Sequence, residues 1–399
     1  MTGEDSVSSA GRVPARPGRP RRGSPAATLA AVAALVGVSR TTVSNAYNRP
    51  DQLSAELREK IMAAAADLGY AGPNPVARSL RTRQADAVGL LFSERLGYAF
   101  RDPGAVEFLH GVAEACTERG RSLLMIPASP GAAHADTVLR AAVDGFVIYS
   151  IPEGDPHLSA VLSRPQPAVI VDSPLGLAGV DFVGIDDRAA FAGVADHVFG
   201  LGHRRVGVIA VRHGAEIDAT MAPASLLERI SLGHLPHQVR QQRLLGLIDA
   251  AERAMIPLAG IVLAEQPNNT REEGARGAAR LLDGYSDLTA ILCTSDILAI
   301  GALDNLAVRG IRVGVDLTIT GFDDVPAAGS SGLTTVRQPL EQKGRVAVES
   351  LLDDRPRPRA RRVLLPTELV VRSSSGPVSV GGRRSVAGSD AGALPSSGD

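Results

Sequence analysis

Between residues 86 and 372 the chain repeats one pattern: a short, continuous apolar run rich in β-branched residues, then a stretch with helical periodicity. The runs are AVGLLF (87–92), SLLMIPA (122–128), GFVIYS (145–150), PAVIVD (167–172), RVGVIAV (205–211), AGIVLA (259–264), AILCTS (290–295) and LTITGF (317–322). Runs this short, with no polar alternation, predict strands buried on both faces, as in parallel sheets whose crossovers are helices. Two doubly wound α/β sheets are a natural layout for so many strands. A ligand crevice is then expected outside the strands' carboxyl ends.

The N-terminal part differs in kind. Residues 1–84 carry 12 Lys and Arg against 6 Asp and Glu, so a module of charge +6 precedes a remainder of −7. A basic head on an acidic body suggests a polyanionic partner for the head alone. Residues 1–26 and 373–399 are rich in Gly, Ser, Pro or Arg without an apolar period and are expected to be disordered. From 27 to 72 three short helices are expected. Leu29, Val32, Ala33 and Val36 give the first an apolar face, and Gly37 interrupts it. Ser39 is placed to cap a second helix, Arg40 to Asn48, which Arg49 and Pro50 close. Ser54 caps a third helix that carries Leu57, Ile61 and Leu68 and ends at Gly69. A tight turn between the first two makes a helix-turn-helix. Residues 73–85 form a linker in which Pro75 suits a first helical turn.

The stretch TLAAVAALVGVSRTTVSNAYN (28–48) resembles the DNA-reading segment of the lactose/galactose-repressor (LacI/GalR) family. So do Ser54 to Ile61, LGY at 68–70 and the linker PNPVARSLRT. VGIDDRAAFAGVADHVFGLGHRRVGVIA (183–210), TSDILAIGAL (294–303), GFDD (321–324), LTTVRQP (333–339) and LLPTELVVRSS (364–374) follow in order. The resemblance spans residues 27–374. It implies a helix-turn-helix transcription regulator, acting as a repressor, on a periplasmic-binding-protein-like core at 86–372. The implied partners are double-stranded DNA with a near-palindromic operator, a small-molecule effector of sugar or nucleoside-like kind, and a second copy of the chain.

In a helix-turn-helix the exposed start of the second helix meets base edges in the major groove. Here that end offers Arg40, Thr41 and Asn45, while Val43 and Ala46 turn inward. Arg pairs with guanine, Asn with adenine, and a Thr methyl touches thymine. Ser39, Thr42, Ser44 and Asn48 are expected to position phosphates or cap helices. Thr28, Asn74 and Arg78 complete the DNA-contacting set. Leu80 matches a family leucine that wedges into the minor groove; packing on the core is the alternative. The Arg-rich run RPGRPRRGS (16–24) is either a minor-groove hook or a solvated tail.

The strand ends offer Ser93, Asp172, Asp186, Asp187, Ser295, Asp296 and Asp323 to a ligand. The resemblance matches Arg243 to a ligand-contacting arginine and Asp323 to an opposed carboxylate, a pair suited to hydroxyls. Asp187 has two readings, ligand contact or N-cap of the next helix. Ser295 stands where relatives often carry Asn, and residues 212–238 are longer than the usual loop. With no Trp in the chain, Tyr98, Phe100 or Phe322 would stack on a sugar ring.

Other classes fit less well. There is no GxxxxGK[ST], HExxH or GxSxG, so neither an enzyme nor a cofactor is expected. His234 and His237 form an HxxH pair without further ligands, and no metal is expected there. The two cysteines form no framework, no run reaches membrane-span length, and no signal-like apolar region follows Met1. A cytoplasmic protein is expected. A solute-binding protein on the same core is the rival, set against the attached basic head; a regulator answering to a protein partner is a third possibility.

Overall fold

The computed structural model describes residues 28–73, 82, 84–92, 96–128, 135–211, 238–353, 355 and 359–378. Both chain ends, nearly all of the linker with Asn74, Arg78 and Leu80, Ser93, the side chain of Tyr98, and 212–237 with its HxxH pair lie outside that description. Two compact units divide between Arg83 and Gln84.

The first unit contains α1 (Leu29–Val36), α2 (Arg40–Asn48) and α3 (Ala55–Asp67). Thr28, Ser39 and Ser54 each accept a backbone N–H from the first turn that follows, so α1, α2 and α3 each start at a hydroxyl cap. Gly37 takes φ +76°, a conformation that costs a Cβ-bearing residue, and the chain turns so that α1 and α2 bend by 107°. Val32, Ala33, Val43, Ala46, Ile61, Ala64 and Ala65 close the core. Seven small apolar residues make a modest core, and the caps therefore matter to its stability.

The second unit has two parallel sheets. The first lobe is built on β1 (Ala87–Phe92), β2 (Ser122–Pro127), β3 (Gly145–Tyr149), β4 (Ala168–Val171), β5 (Asp181–Gly184) and, late in the chain, β11 (Arg362–Leu364). Their order is β11-β5-β4-β3-β1-β2. The second lobe contains β6 (Val206–Val211), β7 (Ile261–Gln266), β8 (Ala290–Cys293) and β9 (Thr318–Thr320), ordered β7-β6-β8-β9. A third, antiparallel pair joins β10 (Thr335–Arg337) to β12 (Glu368–Val370).

Alternation within each strand separates the faces. Val88, Leu90 and Phe92 meet α4 (Pro103–Glu118) and α9 (Leu340–Leu351), while Leu91, Phe146 and Ile148 fill the opposite face. In the second lobe, Val206, Val208 and Leu292 pack on α5 (Asp187–Gly200) and α6 (Gln238–Arg253). Ile209, Ile291 and Cys293 face α7 (Arg271–Gly284) and α8 (Asp296–Val308). Both cysteines are buried thiols.

The chain passes between the lobes after β5, after β10 and between β11 and β12. The core is longer than expected at both ends. Ala85 donates its amide to Asp144, and residues 373–378 dock on the second lobe instead of forming a free tail. Ser374 is buried, bonded through its backbone and hydroxyl to Ile319 and Thr334, and the Gly376 carbonyl accepts from Thr318 and pairs with His203. Backbone pairing of this kind carries no apolar period, which is why composition misread the segment. Among the described residues no single helix is long and apolar enough to cross a membrane.

Close helix contacts set the lobes' dimensions. A Cβ on Gly301 of α8 would lie 1.8 Å from the Arg271 carbonyl of α7, whereas nothing lies within 4 Å of one on Gly193. Gly301→Ala is expected to cost about 1–3 kcal/mol or more, while Gly193→Ala is neutral or stabilising by up to about 1 kcal/mol. Urea denaturation midpoints check both.

Candidate functional site

The head presents its polar residues in pairs. Ser39 Oγ caps α2 by accepting from the Thr42 amide at 3.0 Å and lies 2.8 Å from Thr42 Oγ1. Asn48 Nδ2 donates to the Ser44 carbonyl at 2.9 Å and to Ser44 Oγ at 3.2 Å. Thr28 accepts from the Ala31 amide. Arg40 and Thr41 stand exposed at the start of α2, and Asn45, half-buried, donates to Gln52 at 3.3 Å. Ser39 thus shows the capping role expected of it, Thr28 caps α1 as well, and Thr42, Ser44 and Asn48 bond to Ser39 or within α2.

Between the lobes of the core lies a cavity of about 150 Å³. Asp102, Tyr149, Ser150, Asp172, Arg240, Arg243, Asn269, Thr294, Ser295, Asp323 and Gln338 supply its polar wall, with Phe92, Val211, Val239 and Leu340 among the apolar residues. Four expected residues, Asp172, Arg243, Ser295 and Asp323, meet there. Asp187 does not line the cavity. It sits behind Arg243 and accepts from its Nε at 2.8 Å, and Asp186 is the cap of α5. Ser295 caps α8 and donates to Asn269. Asp296 turns into the structure, accepting from the Val325 amide and the Thr335 hydroxyl, and burial pushes its carboxyl up to about 6. Phe322 is fully buried beneath the Arg243 guanidinium, 3.8 Å from its ring centre, and Phe100 is exposed. Tyr149, stacked on Phe108, reaches the cavity.

A buried chain of charges runs along the cavity. Lys343 Nζ lies 2.7 Å from Asp172 Oδ1 and donates at 2.7 Å to Gln338 Oε1. The Gln338 amide donates to Asp323, whose Oδ1 is 3.8 Å from Arg243 Nη1. Arg243 continues to Asp187 and also donates to the Thr294 carbonyl at 2.6 Å. Asp172 and Lys343 belong to the first lobe, Gln338 to a crossover, and Asp323, Arg243 and Asp187 to the second. Two further bridges span the lobes: Asn269 donates to Asp102 at 3.3 Å, and Gln238 donates to Glu153 at 2.7 Å while accepting from the Leu175 amide.

Burial raises Asp187 and, more strongly, Asp323 above ordinary carboxylates, with Arg243 drawing both back. Burial also opposes the charge on Arg243, but Asp187 and Asp323 outweigh it and hold the guanidinium above its usual value. Tyr149 is raised well above an ordinary phenol by burial, then by Asp172 and Asp102, so it stays a hydrogen-bond donor. Ser150, Asp172 and Asp323 take φ of +51°, +65° and +130°. Such backbone strain in non-glycine residues collects at functional sites. Lys343, Gln338, Asp102, Asn269 and Tyr149 were not among the expected residues; a lysine on an amphipathic helix gives no sign of burial.

A three-helix reading head ahead of a two-lobed α/β core defines a helix-turn-helix DNA-binding transcriptional regulator. The family model for bacterial regulatory proteins, lacI family, matches residues 28–74, and that for a periplasmic binding protein-like domain matches 195–375. The chain is 46% identical over 355 residues to the HTH-type transcriptional regulator Rv3575c of Mycobacterium tuberculosis, covering 88% of this chain and 97% of the relative. It is 44% identical over 330 residues to the regulator IpsA of Corynebacterium glutamicum, covering 82% and 90%. A solved LacI-family regulator from C. glutamicum aligns at TM-score 0.65 and 39% identity over 88% of this chain and 98% of that one. A complex of the regulator CelR with cellobiose aligns at 0.62 and 28%, over 87% and 99%. The protein belongs to the LacI family of bacterial regulators.

Lys343 is the partner Asp172 depends on. Lys343→Met leaves a buried carboxylate uncompensated and is expected to cost about 3–5 kcal/mol. Adding Asp172→Asn should recover most of that loss. Urea unfolding of the wild type, both single variants and the double variant measures the coupling, and strictly additive losses would contradict it.

Proposed function

We propose that the protein is a repressor acting as a cytoplasmic homodimer, which holds a near-palindromic operator and changes its grip when an uncharged, polyhydroxylated compound occupies the cleft. In this reading Arg40, Thr41 and Asn45 read bases, Thr28, Ser39, Thr42, Ser44, Asn48, Asn74 and Arg78 position the backbone, and Leu80 enters the minor groove. Asp172, Arg243, Ser295 and Asp323 hold the effector with Asp102, Asn269 and Tyr149, and Ser93 is assigned to the same site. Asp187 orients Arg243 from behind.

The observation that carries this reading is the charge balance of the cavity. Among the described residues of its wall, the carboxylates of Asp102, Asp172 and Asp323 stand against Arg240 and Arg243, and both Arg243 and the Lys343 behind them are already committed to carboxylates. Hydroxyls donate well to such a wall through charge-assisted bonds. A phosphate or sugar acid adds like charge to a desolvated acidic site. At about 150 Å³ the cavity suits one small ring more than a disaccharide. The cellobiose held by CelR supports a carbohydrate-like occupant of this fold. The protein acts by binding and not by catalysis, because a ligand that prefers one arrangement of the lobes is enough to shift DNA affinity.

Thermal unfolding in the presence of neutral monosaccharides, sugar alcohols and nucleosides, each beside its phosphate ester, tests the proposal. A neutral member should raise the wild-type midpoint, by about 2.7 kcal/mol of added stability at one hundred times its Kd. Asp323→Asn should lose that response. Stabilisation by phosphate esters alone would overturn the reading.

A further inference from the structure

Asn45 of α2 makes a side-chain bond that leaves the helix for the turn beyond it. Its Nδ2 donates at 3.3 Å to Oε1 of Gln52, seven residues on. Gln52 is exposed yet stands on a firm support. It ends the one-turn 3-10 helix Pro50–Gln52, whose first residue is a proline with a fixed φ. The Gln52 amide donates to the Arg49 carbonyl at 3.0 Å, and the Arg49 amide donates to the Asn45 carbonyl at 2.8 Å. Leu53, the next residue, packs against the head's core. The turn therefore places the Gln52 side chain within reach of Asn45.

An asparagine amide reads a base by offering a carbonyl oxygen and an N–H side by side, which matches the N6 donor and N7 acceptor of adenine. Rotated by half a turn, the same group offers the opposite pattern. An unconstrained amide samples both phases, and part of the binding free energy goes to selecting one. With one Nδ2 hydrogen held by Gln52 Oε1, Asn45 keeps its Oδ1 and its second N–H for a base edge. Were the pair reversed, with the Gln52 amide donating, Asn45 would turn its NH2 outward and favour acceptor-rich guanine.

We propose that Gln52 is a positioning residue for sequence recognition: it fixes the phase of the Asn45 amide, and so makes adenine the preferred base opposite Asn45. The inference rests on the reading that α2 enters the major groove.

Selection from a random duplex library at fixed salt, with the full-length wild type, Asn45→Ala, Gln52→Met and Gln52→Glu, tests it. The wild type should show one strongly preferred adenine per half-site, and Asn45→Ala should lose roughly tenfold of preference there, the scale of one bidentate pair. Gln52→Met should relax the same position. Gln52→Glu should keep the adenine, because a carboxylate accepts from Nδ2 as the amide oxygen does, while binding more weakly overall near the phosphates. The proposal is overturned if Gln52→Met keeps the wild-type preference, if it relaxes a position that Asn45→Ala leaves unchanged, or if Gln52→Glu loses the adenine. No effect of Asn45→Ala overturns it along with the role of Asn45. A wild type that selects no sequence overturns the groove reading itself.

Discussion

Five buried charged side chains and one amide form the constraint on which the rest of the core turns. Asp172, Lys343, Gln338, Asp323, Arg243 and Asp187 run from one lobe through a crossover into the other. Burying this many charges is unfavourable unless each finds a partner, so the lobes must present those partners at the right separation. The chain crosses between the lobes at Gln338, its one uncharged member. That makes the arrangement of the lobes an electrostatic property as much as a packing one. A ligand hydroxyl that donates to Asp172 or Asp323 enters the same network, and this is the physical route by which the cleft and the crossovers can communicate.

The scaffold around this chain is stiff where it must be. Each lobe sandwiches a parallel sheet between helices, and the helices approach closely at glycines. Gly111 and Gly344 bring α4 against α9, while Gly274 and Gly301 do the same for α7 and α8. Between the lobes the structure changes character. Three thin crossovers, with the antiparallel pair β10–β12 among them, replace the broad apolar contacts found inside each lobe. Rigid lobes joined by narrow, hydrogen-bonded connections suit hinge motion.

Much of the fold was legible in the sequence because buried parallel strands leave short, unbroken apolar runs. All eight runs became strands, β1 to β4 and β6 to β9. β5, β10, β11 and β12 escaped because three or four residues such as DFVG, TVR, RVL and ELV carry too little pattern to stand out. The head was readable through its caps, since Ser39 and Ser54 announce helix starts by chemistry and not by hydrophobicity. The cleft was half readable. Strand-end position pointed to Asp172, Ser295 and Asp323, and family resemblance pointed to Arg243. Neither located Lys343, which looks like any lysine of an amphipathic helix until tertiary packing encloses it. Asp187 was placed in the right neighbourhood with the wrong partner, because a carboxylate at a helix start looks the same whether it faces a ligand or an arginine.

The central claim is that occupancy of the cleft changes the head's hold on DNA through the buried chain. The most direct measurement is the anisotropy of a labelled duplex, recovered by selection, titrated with the protein at fixed salt with and without the compound that raises its unfolding midpoint. A change in Kd of tenfold or more in the wild type, absent from Asp323→Asn, is the predicted result. A compound that saturates the cleft while the duplex is bound with the same Kd would contradict the account.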